Sequence, residues 1–282
     1  MNHVGKRYKT KENGDLIITR YVSFREVHII FVDTGYETIT QMGNITNGIV
    51  KDRLMPSVCG VGVLGDEATK VNGKSLKEYD LWNAMLQRCY GDVRQGKQPT
   101  YIGCSVSDNF KYYPYFKKWC SVQIGFNLDG FALDKDLLSK GNKIYSEDTC
   151  VFIPQEINNL LTKNEKSRGE FLIGVTYHKY ARRFTSNISV DGKAKHLGCF
   201  ETEIEAFQAY KQAKEAQIKA IASKWKDQID TRAYEALMAY QVEPQINSKS
   251  ISLTAAIDDH DRTDYVTDIK NHISPTTVVI ER

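Results

Sequence analysis

Residues 174–222 constrain this chain more than any other stretch. They read GVTYHKYARRFTSNISVDGKAKHLGCFETEIEAFQAYKQAKEAQIKAIA. Three short runs that alternate apolar and polar residues are followed by one amphipathic helix. A strand turns successive side chains to opposite faces, so Phe184, Ile188 and Leu197 are expected to meet the helix stripe at Phe207 and Tyr210. The same alternation sends Arg183, Thr185 and Asn187 to the other face. His196 joins them from the third strand, and Thr176 and His178 from the first. Asp191-Gly192 has the chemistry of a two-residue hairpin turn, with Lys193 and Lys195 beside it. Thr202, three residues before Glu205, has the spacing of a capping box and opens the helix. The expected product is a three-stranded antiparallel sheet backed by a helix, with Arg, Lys, His, Thr and Asn on its uncovered face.

Several runs carry a resemblance: Gly174-Val175, Arg183-Phe184 before Ser186 and Ile188, Leu197-Gly198-x-Phe200, and Glu205-Ala206-x-x-Ala209-Tyr210. This stretch resembles an AP2/ERF DNA-binding domain over about one sixth of the chain. The resemblance implies a double-stranded DNA partner met by the polar face of the sheet. Its contact residues would be Thr176, His178, Arg182, Arg183, Thr185, Asn187, Lys193, Lys195 and His196. Arg182 or Arg183 suits a bidentate guanine contact, Asn187 an adenine contact, and the two lysines phosphates. Thr176 stands where the plant pattern usually has Arg, and Phe184 where it has Trp. Charge agrees with a polyanionic partner. Residues 163–226 carry 13 Lys and Arg against 7 Asp and Glu, whereas the whole chain is only +3 and residues 244–282 carry 4 against 6.

Elsewhere the pattern predicts further modules. Leu16-Ile17-Ile18, Val27 to Val32 and Tyr36 to Ile39, with turns at Asn13-Gly14 and Thr34-Gly35, predict a small all-β module over residues 1–55, of SH3-like barrel type. CGVGVLGDEATKVNGKS lacks the spacing of a phosphate loop and reads as a loop or hairpin. Helical spacing predicts a helix over 76–90, a second over about 108–120, the capped helix over about 202–222 and a last one over about 230–241. In the capped helix Ile204, Phe207, Tyr210 and Ile221 are expected to form the buried stripe. From Pro244 the chain is polar and aperiodic until Thr276 to Ile280, which reads as a loosely attached or disordered tail.

Residues 132–161, ALDKDLLSKGNKIYSEDTCVFIPQEINNLL, predict a strand at Leu133-Asp134, a polar loop, a strand at Cys150 to Ile153, and a helix opened by Pro154. With Trp82, Met85, Arg88-Cys89-Tyr90 and Tyr101-Ile102-Gly103-Cys104 upstream, this segment resembles the ββα unit of bacteriophage HNH homing endonucleases. That resemblance implies a nuclease region over 56–165, an AP2/ERF-like domain with a C-terminal helix over 166–243, and a tail over 244–282. The overall class is α+β.

The endonuclease resemblance also implies a divalent cation, Mg²⁺, with Asp134 on the strand and Asn158 on the helix as ligands. Mg²⁺ takes oxygen donors and stabilises a leaving oxyanion in phosphodiester hydrolysis. The family's general-base His is replaced here by Lys135. The family's middle Asn falls near Thr149, with Asn142 a looser match in the loop. Lys135 or Asp136 is expected to assist the water or the phosphate. Three readings of Leu133 to Asp136 stand together: an altered but active metal site, a nuclease fold that only binds DNA, and a surface charge cluster on a turn. The expected function is a site-selecting DNA endonuclease; the alternative is a non-catalytic, sequence-specific DNA-binding protein.

The six cysteines form no CxxC pair and have no His at zinc-finger spacing, so reduced, mostly buried thiols are expected. No run of 18 apolar residues exists and the N-terminus lacks an apolar signal core. The protein is expected to stay in the cytoplasm, without a membrane partner.

Overall fold

A computed structural model describes residues 3–92, 96, 99–162 and 171–244. The tail expected over 244–282 lies, from residue 245 on, outside the described residues. The class is α+β, built from several small sheets and, among the described residues, seven α-helices. The chain divides into two units, Met1–Phe152 and Ile153–Arg282.

The first unit opens with β1 (Arg7–Lys9), β2 (Asp15–Ser23), β3 (Glu26–Phe31) and β4 (Glu37–Thr40), a four-stranded sheet in sequence order. The alternation predicted this sheet: Leu16, Ile18, Val27, Ile29 and Phe31 are buried on one face. Two details differ. The strands make a plain meander with no barrel closure among the described pairings, and the module is not all-β. Helix α1 (Met42–Thr46) follows, and its Met42 and Ile45 cover the buried face. A short hairpin, β5 (Lys70–Val71) and β6 (Lys74–Ser75), leads into α2 (Lys77–Tyr90).

The helix expected over 108–120 is two helices, α3 (Asp108–Lys111) and α4 (Tyr113–Ser121), broken at Tyr112. Pro114 has no N–H to give the Phe110 carbonyl four residues earlier, and it sits in the first turn of α4, where proline is tolerated, behind an extended Tyr112. The freed carbonyl accepts a 2.7 Å hydrogen bond from the Trp82 indole of α2. Trp82, Phe110, Tyr113, Phe116, Trp119 and Phe152 then build an aromatic core. Cys89, Cys104, Cys120 and Cys150 are buried and all six cysteines are free. Short strands β7 (Ser105–Val106) and β9 (Ile144–Tyr145) pair in parallel, while β8 (Phe131–Asp134) pairs with β10 (Val151–Pro154).

In the second unit, α5 (Gln155–Leu161) follows β10. Then come β11 (Val175–His178), β12 (Arg183–Val190) and β13 (Lys193–Phe200), a three-stranded antiparallel sheet in sequence order. Helix α6 (Glu203–Trp225) backs it, and the Thr202–Glu205 capping box forms as predicted. The buried stripe of α6 is centred on Ala206, Phe207, Tyr210, Ile218 and Ala222, with the predicted Ile204 and Ile221 at its half-buried margins. Helix α7 (Thr231–Met238) is capped by Asp230 and ends three residues before the predicted limit.

Candidate nucleic-acid interface and loop site

Register decides what the uncovered face of the second unit's sheet presents. Thr176 is opposite Thr185 and His178 opposite Arg183, while Asn187 is opposite His196. Thr176, His178, Arg183, Thr185, Asn187 and His196 therefore share one face. Two side-chain contacts agree: the Thr176 and Thr185 hydroxyls lie 3.0 Å apart, and His196 Nδ1 lies 3.2 Å from Asn187 Oδ1. The other face carries Phe184, Ser186, Ile188 and Val190 toward α6.

A bulge between Ser186 and Asn187 leaves Leu197 as the extra residue of β13. It restores parity beyond the bulge, so Phe200 reaches the core and Cys199 joins the uncovered face, with Sγ 3.7 Å from His196 Nε2. Gly198 makes the bulge possible: its φ is +149°, and a Cβ there would lie 3.0 Å from the Phe200 ring.

Lys193 and Lys195 are exposed beside the Asp191-Gly192 turn, whose two residues both have positive φ. They pair with Val190 and Ile188, so they belong to the helix-side face of the hairpin end and not to the polar face. Arg182 has φ +49° in the turn between β11 and β12, and Arg183 makes an exposed 3.3 Å ion pair with Glu201. Such a pair is worth about 0–1 kcal/mol and exchanges readily for another anion. Sequence reasoning passed over Cys199 and Tyr180. Cys199 depends on the bulge, which alternation does not reveal. Tyr180 is fully exposed in the same turn as Arg182. The available signal was an aromatic between Lys179 and Arg182 in a run, 171–190, without a carboxylate.

The loop from β8 to β10 is closed by its own side chains. Asp134 Oδ1 accepts the backbone N–H groups of Asp136 and Leu137 at 2.9 and 2.7 Å. Burial pushes the Asp134 carboxyl above the ordinary carboxylate range, against the pull of those two amides. Lys135 is 7% exposed. Its ammonium pairs with Asp136, donates to the Asn142 carbonyl at 2.8 Å and lies 5.7 Å from the centre of the Tyr145 ring. The Asn142 amide donates back to Lys135 O at 2.8 Å and to Ile144 O at 2.6 Å, and its Oδ1 accepts from Ile144 N at 3.1 Å. Thr149 Oγ1 donates to Ile144 O at 2.7 Å and accepts from Ser146 N at 3.1 Å. Asp134, Lys135, Asp136, Asn142 and Thr149 are thus gathered in one loop of the first unit. Asn158 lies on α5 in the second unit, half-buried, where its carbonyl accepts from Thr162 N at 3.0 Å.

A divalent cation fits this loop poorly. Asp134 has one carboxylate oxygen committed to two amides, and Asp136 is neutralised by the Lys135 ammonium. The polar groups of Asn142 and Thr149 are spent on the loop backbone. A cation placed at Asp134 would stand beside a buried ammonium, where like charges repel in a low dielectric. Among the described residues no group of three or more His, Cys, Asp or Glu could hold a metal ion. No described helix is long and apolar enough to cross a membrane. No family model, curated protein or solved structure matches this chain.

Proposed function

We propose that this chain is a double-stranded-DNA-binding protein of the HNH homing-endonuclease kind, with the uncovered face of β11–β13 as its DNA-reading surface. One observation carries the reading. The register gathers Thr176, His178, Arg183, Thr185, Asn187 and His196 on a single face that no described element covers. A polar sheet face that carries Arg and Asn suits a major groove, where bidentate Arg and Asn contacts distinguish bases. Arg182, in the exposed turn at one end of the sheet, suits a flanking phosphate; Lys193 and Lys195, expected to do the same, lie on the helix side.

Cleavage is the second reading. It is favoured by the paired strands β8 and β10, joined by a loop that carries β9 and followed by α5, and by the Asp134 carboxylate at the end of β8. The burial of Lys135 and its engagement with Asp136 favour binding without hydrolysis. Incubating the protein with supercoiled plasmid in Mg²⁺, beside Asp134→Ala and chelator controls and a gel shift, separates the two. Retarded but intact plasmid is the expected result. Relaxation or linearisation that needs both the metal and Asp134 would establish the endonuclease. Absence of any retardation at low salt would remove both readings.

A further inference from the structure

We infer that the buried Lys135 ammonium is the loop's own cation, and that the β8–β10 loop therefore folds and persists without a divalent ion. This inference does not depend on DNA binding.

The geometry is that of a filled cation site. The ammonium is enclosed, at 7% residue exposure, and its neighbours are those a metal would take: a carboxylate from Asp136 and a backbone carbonyl from Asn142 at 2.8 Å. The Tyr145 ring, with its centre 5.7 Å away, adds a π-face to the shell. Asn142 then crosses back to Lys135 O and Ile144 O, closing the loop around the charge. Asp134 turns one oxygen inward to two loop amides. A lysine is a compact point charge with three donors, so it can replace the structural role of a hydrated cation. Its charge is +1 and it brings no activated water.

The test uses the full chain. Thermal unfolding is followed in chelator and in millimolar Mg²⁺ or Mn²⁺, and Mn²⁺ binding is read from the loss of its free electron paramagnetic resonance signal. A ion that binds only the native state raises Tm, so the wild-type chain is expected to show the same Tm in metal and in chelator, and no stoichiometric Mn²⁺ binding. Stoichiometric Mn²⁺ binding that Asp134→Ala removes would overturn the inference. Lys135→Ala is the second arm. Emptying the position between Asp134 and Asp136 is expected to create Mn²⁺ binding and a metal-dependent rise in Tm that wild type lacks. A folded Lys135→Ala chain that still binds no Mn²⁺ would also overturn it. If that variant does not fold, the wild-type comparison decides alone.

Discussion

Gly174 shows how much a single residue can decide. It precedes β11 with φ +79°, and a Cβ built there would lie 2.0 Å from Tyr210 Cδ2 on α6. Both the backbone conformation and the space exclude a side chain, and the colliding atom is a buried ring. Gly174→Ala is expected to destabilise the protein by about 2–4 kcal/mol, read as a lower urea midpoint with little change in slope. The sequence exposed this glycine as the first residue of the AP2/ERF-like run but not its reason, because Tyr210 lies 36 residues away. Lys135 is the opposite case. Its neighbour Asp134 suggested chemistry, yet its surroundings are set by Asn142 returning seven residues later, and a loop's path has no periodicity to read.

Elements were legible where period and caps agreed. The strands β11 to β13, the capping box at Thr202 and the helix over 77–90 all follow from spacing and end signals. The break at Tyr112 was also present in the sequence, in Pro114, but the i, i+3 aromatic spacing of Phe110, Tyr113 and Phe116 overrode it. The tie between α5 and α6 had no local signal at all. Glu156 Oε2 accepts from Lys224 Nζ and Trp225 Nε1, both at 2.8 Å, across 68 and 69 residues of chain. These donors hold the Glu156 carboxyl below its ordinary range. A carboxyl whose folded pKa is depressed contributes stability above its unfolded value, and that contribution is lost as pH falls through the folded one. Glu156→Gln is therefore expected to cost about 0.5–1 kcal/mol at neutral pH, limited by solvent screening at this exposed pair. The deficit should shrink as pH falls below the ordinary value of 4.5. Urea titrations of the two chains across that range check it, and a deficit that stays constant would exclude the charge-assisted tie.

At the scale of the whole molecule, the two units carry separable chemistry. Met1–Phe152 holds an aromatic core and a loop closed by Lys135, whereas Ile153–Arg282 holds the polar sheet face. The sequence announced the second unit plainly, since strand alternation fixes which side chains share a face wherever the other face is buried. It announced the candidate loop only as an order of elements. The division of the chain falls within β10, so Asp134 and Asn158, expected as a ligand pair, belong to different units. Neither strand nor helix periodicity speaks to such a boundary.

The most direct test of the central claim is a fluorescence anisotropy titration, over a series of salt concentrations, of a labelled duplex selected from a random-sequence pool by its binding to the wild-type chain. Wild type should bind with an affinity that falls steeply as salt rises. Arg182→Ala should reduce the magnitude of the logarithmic salt slope by about one unit, and Arg183→Ala together with Asn187→Ala should weaken binding by about tenfold or more. A salt-independent response, or binding unchanged when Arg183 and Asn187 are both lost, would contradict the assignment of this sheet face as the DNA-reading surface.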